Sequence, residues 1–221
     1  MGFTEKPLEA AAALAAIRIV PVLALESVED GLKICEIFNK AGLCGAEITF
    51  RTKAAPEVIR EVANAFPNLL VGAGTVLNVH DLHRAFDAGA KFAVAPGFNP
   101  TVVKEAIRCD YAFCPGVCTP SEVEQAVELG CRMLKFFPAE AAGGVKMLSS
   151  IVAPYKHLGI RFMPTGGVST KNVCDYLAIP QVVAVGGTWL GKSADIKDGK
   201  WAEIEAVAME AAAIVRQNPA K

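Results

Sequence analysis

Short apolar runs separated by capped helical segments recur along this chain from residue 17 to residue 190, and no other feature restricts its folds as much. The runs are IRIVPVLAL (17–25), GAEITF (45–50), LLVGAGT (69–75), KFAVAPG (91–97), YAFCPG (111–116), MLKFFP (133–138), RFMPTGG (161–167) and VVAVGGTWL (182–190), which makes eight candidate strands. Nearly every position in them is apolar, so both faces need covering, and parallel strands flanked by helices provide that cover. The intervening helices announce their starts. Ser27 with Asp30, Asn78 with Asp81, Asn99 before Pro100, Thr119-Pro120-Ser121-Glu122 and Ser169 all offer capping chemistry. Eight such α/β units close into a (β/α)₈ TIM barrel, whereas an open doubly wound sheet has fewer units and a nucleotide fingerprint. Residues 1–221 read as a single barrel domain, with 1–16 as an extra N-terminal helix and 191–200 as a loop before the last helix.

Composition agrees with a packed domain and narrows its partners. A chain of 221 residues that is 52% hydrophobic and 20% charged has enough apolar surface to offset the ordering entropy of folding. Lysine and arginine (22) balance aspartate and glutamate (23), a net charge of −1 that gives no footprint for nucleic acid or anionic lipid. No window approaches the roughly 20 continuous apolar residues of a membrane span, and the start lacks a basic leader with a cleavage site. Seven cysteines at irregular spacing suit reduced thiols rather than a disulfide framework. The expectation is a cytoplasmic protein with a small-molecule substrate and no membrane or nucleic-acid partner.

One cation sits oddly. In MLKFFP the lysine at 135 lies mid-strand among long apolar neighbours with no adjacent acid. Side chains of one parity along a barrel strand point into the lumen, and Met133, Lys135 and Phe137 share a parity. An interior place near the C-terminal mouth fits a lysine better than the apolar layer under the helices. Desolvation there disfavours the charged form of an amine, and a free amine attacks carbonyl carbons. On the second strand Gly45, Glu47, Thr49 and Arg51 share parity, which aligns a carboxylate and a guanidinium toward the top. Glu47 is then either the counter-ion of a structural pair or a general acid and base, and Arg51 is suited to forking onto a substrate carboxylate.

The seventh and eighth runs end in Thr165-Gly166-Gly167 and Gly186-Gly187-Thr188. Glycine lets backbone N–H groups approach an anion, and the loops after strands seven and eight are the usual phosphate site of this fold. Each pair alone could be no more than a tight turn; together they favour a phosphate, with the Thr188 hydroxyl as a further donor. GAGTVLN (72–78) lacks the third glycine of a dinucleotide loop, and a dinucleotide site is discarded. His80 and His83 lie one helical turn apart on an outer helix, His157 precedes the seventh strand, and Cys114 and Cys118 have no matching second pair. No metal and no cofactor is expected.

Glu47, Thr49, Arg51, GAGTVLN, the PG pairs at 96–97 and 115–116, LKFFPAE (134–140), PTGG (164–167) and GGTWL (186–190) together resemble the bacterial 2-keto-3-deoxy-6-phosphogluconate (KDPG) aldolases, also called 4-hydroxy-2-oxoglutarate (KHG) aldolases. The resemblance runs over nearly the whole chain in one register. It implies a homotrimer of (β/α)₈ barrels and a metal-independent lyase that splits KDPG into pyruvate and glyceraldehyde 3-phosphate, the last step of the Entner–Doudoroff route. KHG, which gives pyruvate and glyoxylate, is a second substrate of the group. By resemblance, Lys135 is the Schiff-base lysine and Glu47 the proton-transferring group. Arg51 and Thr75 hold the pyruvate carboxylate, Pro96 and Phe137 shape the pyruvyl pocket, and Gly166, Gly167 and position 188 take the phosphate. Position 188 is often serine in relatives and is threonine here, which keeps the hydroxyl. GFNP (97–100) and CPGVC (114–118) depart from the best-known members. The residues alone also fit a phosphosugar epimerase or isomerase, or a non-catalytic barrel that binds a sugar phosphate.

Overall fold

The computed structural model describes residues 5–219 and is a (β/α)₈ barrel of parallel strands. Helix α1 (Glu5–Ile17) leads into β1 (Ile19–Leu23), α2 (Val28–Ala41), β2 (Gly45–Thr49), α3 (Ala55–Ala65), β3 (Leu70–Gly74), α4 (Val79–Asp87), β4 (Phe92–Val94) and α5 (Pro100–Arg108). Then follow β5 (Phe113–Cys114), β6 (Gly116–Val117), α6 (Pro120–Glu128), β7 (Met133–Phe136), α7 (Gly144–Tyr155), β8 (Arg161–Pro164), α8 (Val173–Leu177), β9 (Val185–Gly187), α9 (Ser193–Lys197) and α10 (Trp201–Gln217). The N-terminal helix expected over 1–16 is α1; residues 1–4 lie outside the described residues.

All eight runs carry a strand, but the fifth carries two. Pro115 has no N–H to give to a ladder, and it divides YAFCPG so that β5 pairs with β4 while β6 pairs with β7. The sheets β5-β4-β3-β2-β1-β9 and β6-β7-β8 are therefore joined covalently through Pro115 on one side. On the other side the bridges Phe162↔Val182 and Thr165↔Gly186 close the cylinder.

Four of the five capping signals act as expected. Ser27, Asn78, Asn99 and Thr119 each accept a hydrogen bond from a backbone N–H in the first turn of α2, α4, α5 and α6, and Thr119 with Glu122 forms a full capping box. Ser169 is the exception. Its N–H donates to Asn172 Oδ1 at 2.8 Å, and Asn172 Nδ2 donates to the Gly167 carbonyl at 3.2 Å. These local bonds compete with helix, so a turn occupies 169–172 and α8 starts at Val173.

The strand parity expected from sequence separates two cores. Ala46, Ile48, Val71, Ala73, Leu134, Phe136 and Phe162 face outward into the layer under the helices. Val20, Phe92, Val94, Cys114, Met133 and Met163 fill the lumen, and Leu14 of α1 packs with them at its N-terminal end. Helix α1 thus plugs the bottom of the cylinder and leaves the C-terminal end of the strands as its mouth. Among the described residues no helix is long and apolar enough to cross a membrane.

Candidate active site

Above the apolar filling, two charged side chains meet inside the lumen. Lys135 of β7 and Glu47 of β2 are 5% and 0% exposed, and Lys135 Nζ lies 3.5 Å from Glu47 Oε1. The sheet register holds both. Glu47 stands between Val22 of β1 and Gly72 of β3, and Lys135 stands between Gly116 of β6 and Met163 of β8.

Gly74 is a condition for this pair. A Cβ at position 74 would sit 2.1 Å from Glu47 Oε1, while one at Gly72 would meet the Phe92 ring at 2.2 Å. The GAG sequence of β3 is therefore side-chain room for a carboxylate above and an aromatic ring below. Sequence reasoning missed this role, although the signal was present: Gly72 and Gly74 share the parity that turns toward the lumen.

The geometry also bears on what the pair is for. Desolvating two charges costs more than their attraction returns unless they are closely paired and their remaining lone pairs are satisfied. Here the contact is at the outer limit of a hydrogen bond, and Glu47 Oε2 is buried with no partner. A mere structural counter-ion pair is poorly served by that arrangement. Lys135 Nζ also lies 5.5 Å from the Phe137 ring centroid, within cation–π range. Cys114 faces the same lumen as a neutral thiol, because burial pushes its pKa up more strongly than the nearby Lys135 lowers it.

The remaining expected residues surround the mouth. Arg51 is exposed just past β2, where its Nε donates to Thr49 Oγ1 at 3.0 Å; Thr49 in turn donates to the Leu23 carbonyl at 2.8 Å. This chain holds the stem of the guanidinium against the barrel rim. Thr75, half-buried just past β3, has a φ of 58°. Positive φ in a β-branched residue is strained, and such strain concentrates at functional sites. Pro96 and Phe137 are half-buried just past β4 and β7.

On the far side of the mouth Gly166 and Gly167 have φ of 98° and 83°, so consecutive left-handed residues form the loop after β8. Gly186 and Gly187 are buried at the end of β9, and Thr188 is exposed in the 3₁₀ turn that follows. Thr165 stands apart from these loop glycines. It shares parity with lumen-facing Met163, is 5% exposed, and its hydroxyl has no partner. Lys135, Glu47 and Thr165 thus place polar groups inside the cylinder, with Arg51, Thr75 and the glycine loops around its mouth.

Elsewhere, His83, Glu105 and Cys109 bring ligand atoms within 4.8 Å of one another between α4 and α5. Both Glu105 oxygens are already held by the Arg108 guanidinium at 2.7 and 2.8 Å.

Comparison with known proteins converges on one family. Residues 10–207 match the family model for KDPG and KHG aldolase. A 2-dehydro-3-deoxy-phosphogluconate aldolase from Haemophilus influenzae is 43% identical over 200 residues, covering 90% of this chain and 93% of that protein. A solved KDPG aldolase from Legionella pneumophila, with pyruvate captured at low pH as a covalent carbinolamine intermediate, is 35% identical with a TM-score of 0.85, covering 90% of this chain and 96% of that one. The aldolase of Zymomonas mobilis, solved with 3-phosphoglycerate, is 35% identical with a TM-score of 0.84, covering 92% and 95%.

Proposed function

The chain belongs to the KDPG and KHG aldolase family, and from that premise we propose that Lys135 is its covalent nucleophile and Glu47 its proton carrier. The protein is a class I aldolase, a carbon–carbon lyase that cleaves 2-keto-3-deoxy-6-phosphogluconate to pyruvate and glyceraldehyde 3-phosphate. The observation that carries the residue assignment is the buried, long Lys135–Glu47 contact with its unpartnered carboxylate oxygen.

The chemistry follows from that geometry. Transfer of the Lys135 ammonium proton to Glu47 frees the amine, which adds to the C2 carbonyl; the same proton, returned by Glu47 to the carbinolamine hydroxyl, leaves with it as water and gives an iminium. Glu47 then accepts the C4 hydroxyl proton. The electrons of the C3–C4 bond flow into the iminium, so the aldehyde departs and an enamine remains. Protonation at C3 and addition of water return pyruvate and the amine. One carboxyl group suffices because the proton transfers occur in sequence.

The groups around the mouth divide the substrate between them. Arg51 and the strained Thr75 hold the carboxylate next to the keto group, and Pro96 and Phe137 wall the pyruvyl end. Gly166, Gly167, Gly186, Gly187 and Thr188 receive the phosphate on backbone N–H groups and a hydroxyl. The Thr165 hydroxyl, inside the lumen, completes that side. The family resemblance further supports a cytoplasmic homotrimer acting at the last step of the Entner–Doudoroff route; a monomer mass by light scattering would remove the trimer.

Pyruvate release measured in parallel from KDPG and KHG tests the reading. Turnover of KDPG that disappears in Lys135→Met is expected. A Lys135→Met protein that is folded and retains wild-type turnover would overturn the residue assignment.

A further inference from the structure

The loop that would take the phosphate does not hold itself in place. After β7 the chain folds back along the loop after β8: Ala139 N–H donates to the Thr165 carbonyl at 2.9 Å, and Glu140 N–H donates to the Gly166 carbonyl at 3.0 Å. Gly167 lies on Glu140, since a Cβ at 167 would be 2.6 Å from Glu140 Cβ. Gly144 closes on the other side, where a Cβ would be 3.2 Å from Glu140 Oε1 and 3.7 Å from the Tyr176 hydroxyl oxygen.

The anchor of this assembly comes from α8. Tyr176 is fully buried, and its hydroxyl donates to Glu140 Oε1. Burial, followed by the carboxylate, pushes the phenol pKa up, so it remains a donor. A carboxylate near an anion site would repel a phosphate if it were free to swing. Here one oxygen is tied to a rigid phenol in the core, while the backbone of the same residue carries the glycine loop.

We propose that Glu140 and Tyr176 form a strut that fixes the Gly166–Gly167 loop in its anion-receiving shape, and so favours phosphorylated over unphosphorylated 2-keto-4-hydroxy acids. The inference rests on the function proposed above, and it makes both positioning residues rather than catalytic ones. Lys135 and Glu47 lie outside the strut, so carbon–carbon cleavage itself is untouched by its loss.

Tyr176→Phe keeps the buried ring and deletes the hydroxyl; Glu140→Ala deletes the carboxylate; Glu140→Gln keeps an acceptor oxygen. For Tyr176→Phe and Glu140→Ala, KM for KDPG rises roughly tenfold, the scale of one lost charge-assisted hydrogen bond, with kcat within about twofold. KM and kcat for KHG stay at wild-type values. Glu140→Gln restores KM for KDPG. Equal losses on both substrates, an unchanged KM for KDPG in Tyr176→Phe, or a Glu140→Gln variant as weak as Glu140→Ala would overturn the proposal. Inorganic phosphate, titrated calorimetrically into wild type and Tyr176→Phe, supplies a readout free of turnover. Several-fold weaker binding by the variant is expected, and equal binding contradicts the strut. A wild-type protein that binds phosphate but cleaves neither substrate would instead defeat the proposed function.

Discussion

Two cations are buried among the described residues, at opposite ends of the same barrel, and the chain treats them in opposite ways. At the bottom, Arg18 spreads its guanidinium over four carbonyls: Asn218 at 3.1 Å, Val182 at 3.1 Å, Val183 at 3.0 Å and Leu177 at 3.1 Å. Burial lowers its pKa, yet every hydrogen bond its guanidinium makes joins chain segments that would otherwise part: the start of β1, the approach to β9, and the ends of α8 and α10. At the top, Lys135 has one carboxylate at 3.5 Å, itself left with an unpartnered oxygen. A satisfied buried cation holds a structure together. One left half-satisfied has its bonding capacity available to a substrate, and its cost is carried by the apolar lumen beneath it.

The sharpest way to break this contrast is to remove each cation in turn. Lys135→Met is expected to lower kcat/KM by several orders of magnitude and also to lower the melting temperature, since it leaves the buried Glu47 carboxylate without a counter-charge. Steady-state kinetics and a thermal melt check both halves. Glu47→Gln comes next, with turnover reduced by about 10²- to 10⁴-fold, the usual worth of a positioned proton carrier, and the fold retained. Arg18→Ala separates stability from activity. Stability falls by about 2–4 kcal/mol because several buried carbonyls lose their donor, and kcat of the folded fraction stays near wild type in a urea titration paired with assays.

The smallest pair sharpens the comparison within a single strand. Gly72→Ala drives a methyl into the Phe92 ring and is expected to cost about 1–3 kcal/mol of stability through overpacking, with activity kept. Gly74→Ala, two residues further up, displaces the Glu47 carboxylate and is expected to cost roughly tenfold in turnover with a smaller loss of stability. If the two glycines exchanged these phenotypes, the division of the lumen into a packed floor and a reactive ceiling would be wrong.

The eight repeating units were legible in the sequence because their period switches between strand and helix and because four helix starts use side chains that accept from their own first turn. The meeting of Glu47 with Lys135 was legible from parity, as each strand could be read alone and the barrel supplies the rest. What escaped was set by contacts far apart in the chain. Pro115 divides one run into two strands because its neighbours on either side pair with different sheets. Gly74 looks like a fragment of a nucleotide loop until a carboxylate from another strand occupies the space beside it. Tyr176 meets Glu140 across 36 positions, and neither residue's local pattern points to the other. Ser169 offered a capping signal, and Asn172 diverted it into a turn.

The account depends most on the Lys135 amine acting as a nucleophile inside the cylinder. Incubation with pyruvate and sodium borohydride, followed by digestion and mass analysis of the peptides, tests it directly. The predicted result is a reduced pyruvyl adduct on Lys135 and on no other lysine, lost when the incubation omits pyruvate. An intact, catalytically active protein that carries no adduct, or carries it on a surface lysine, would contradict the account.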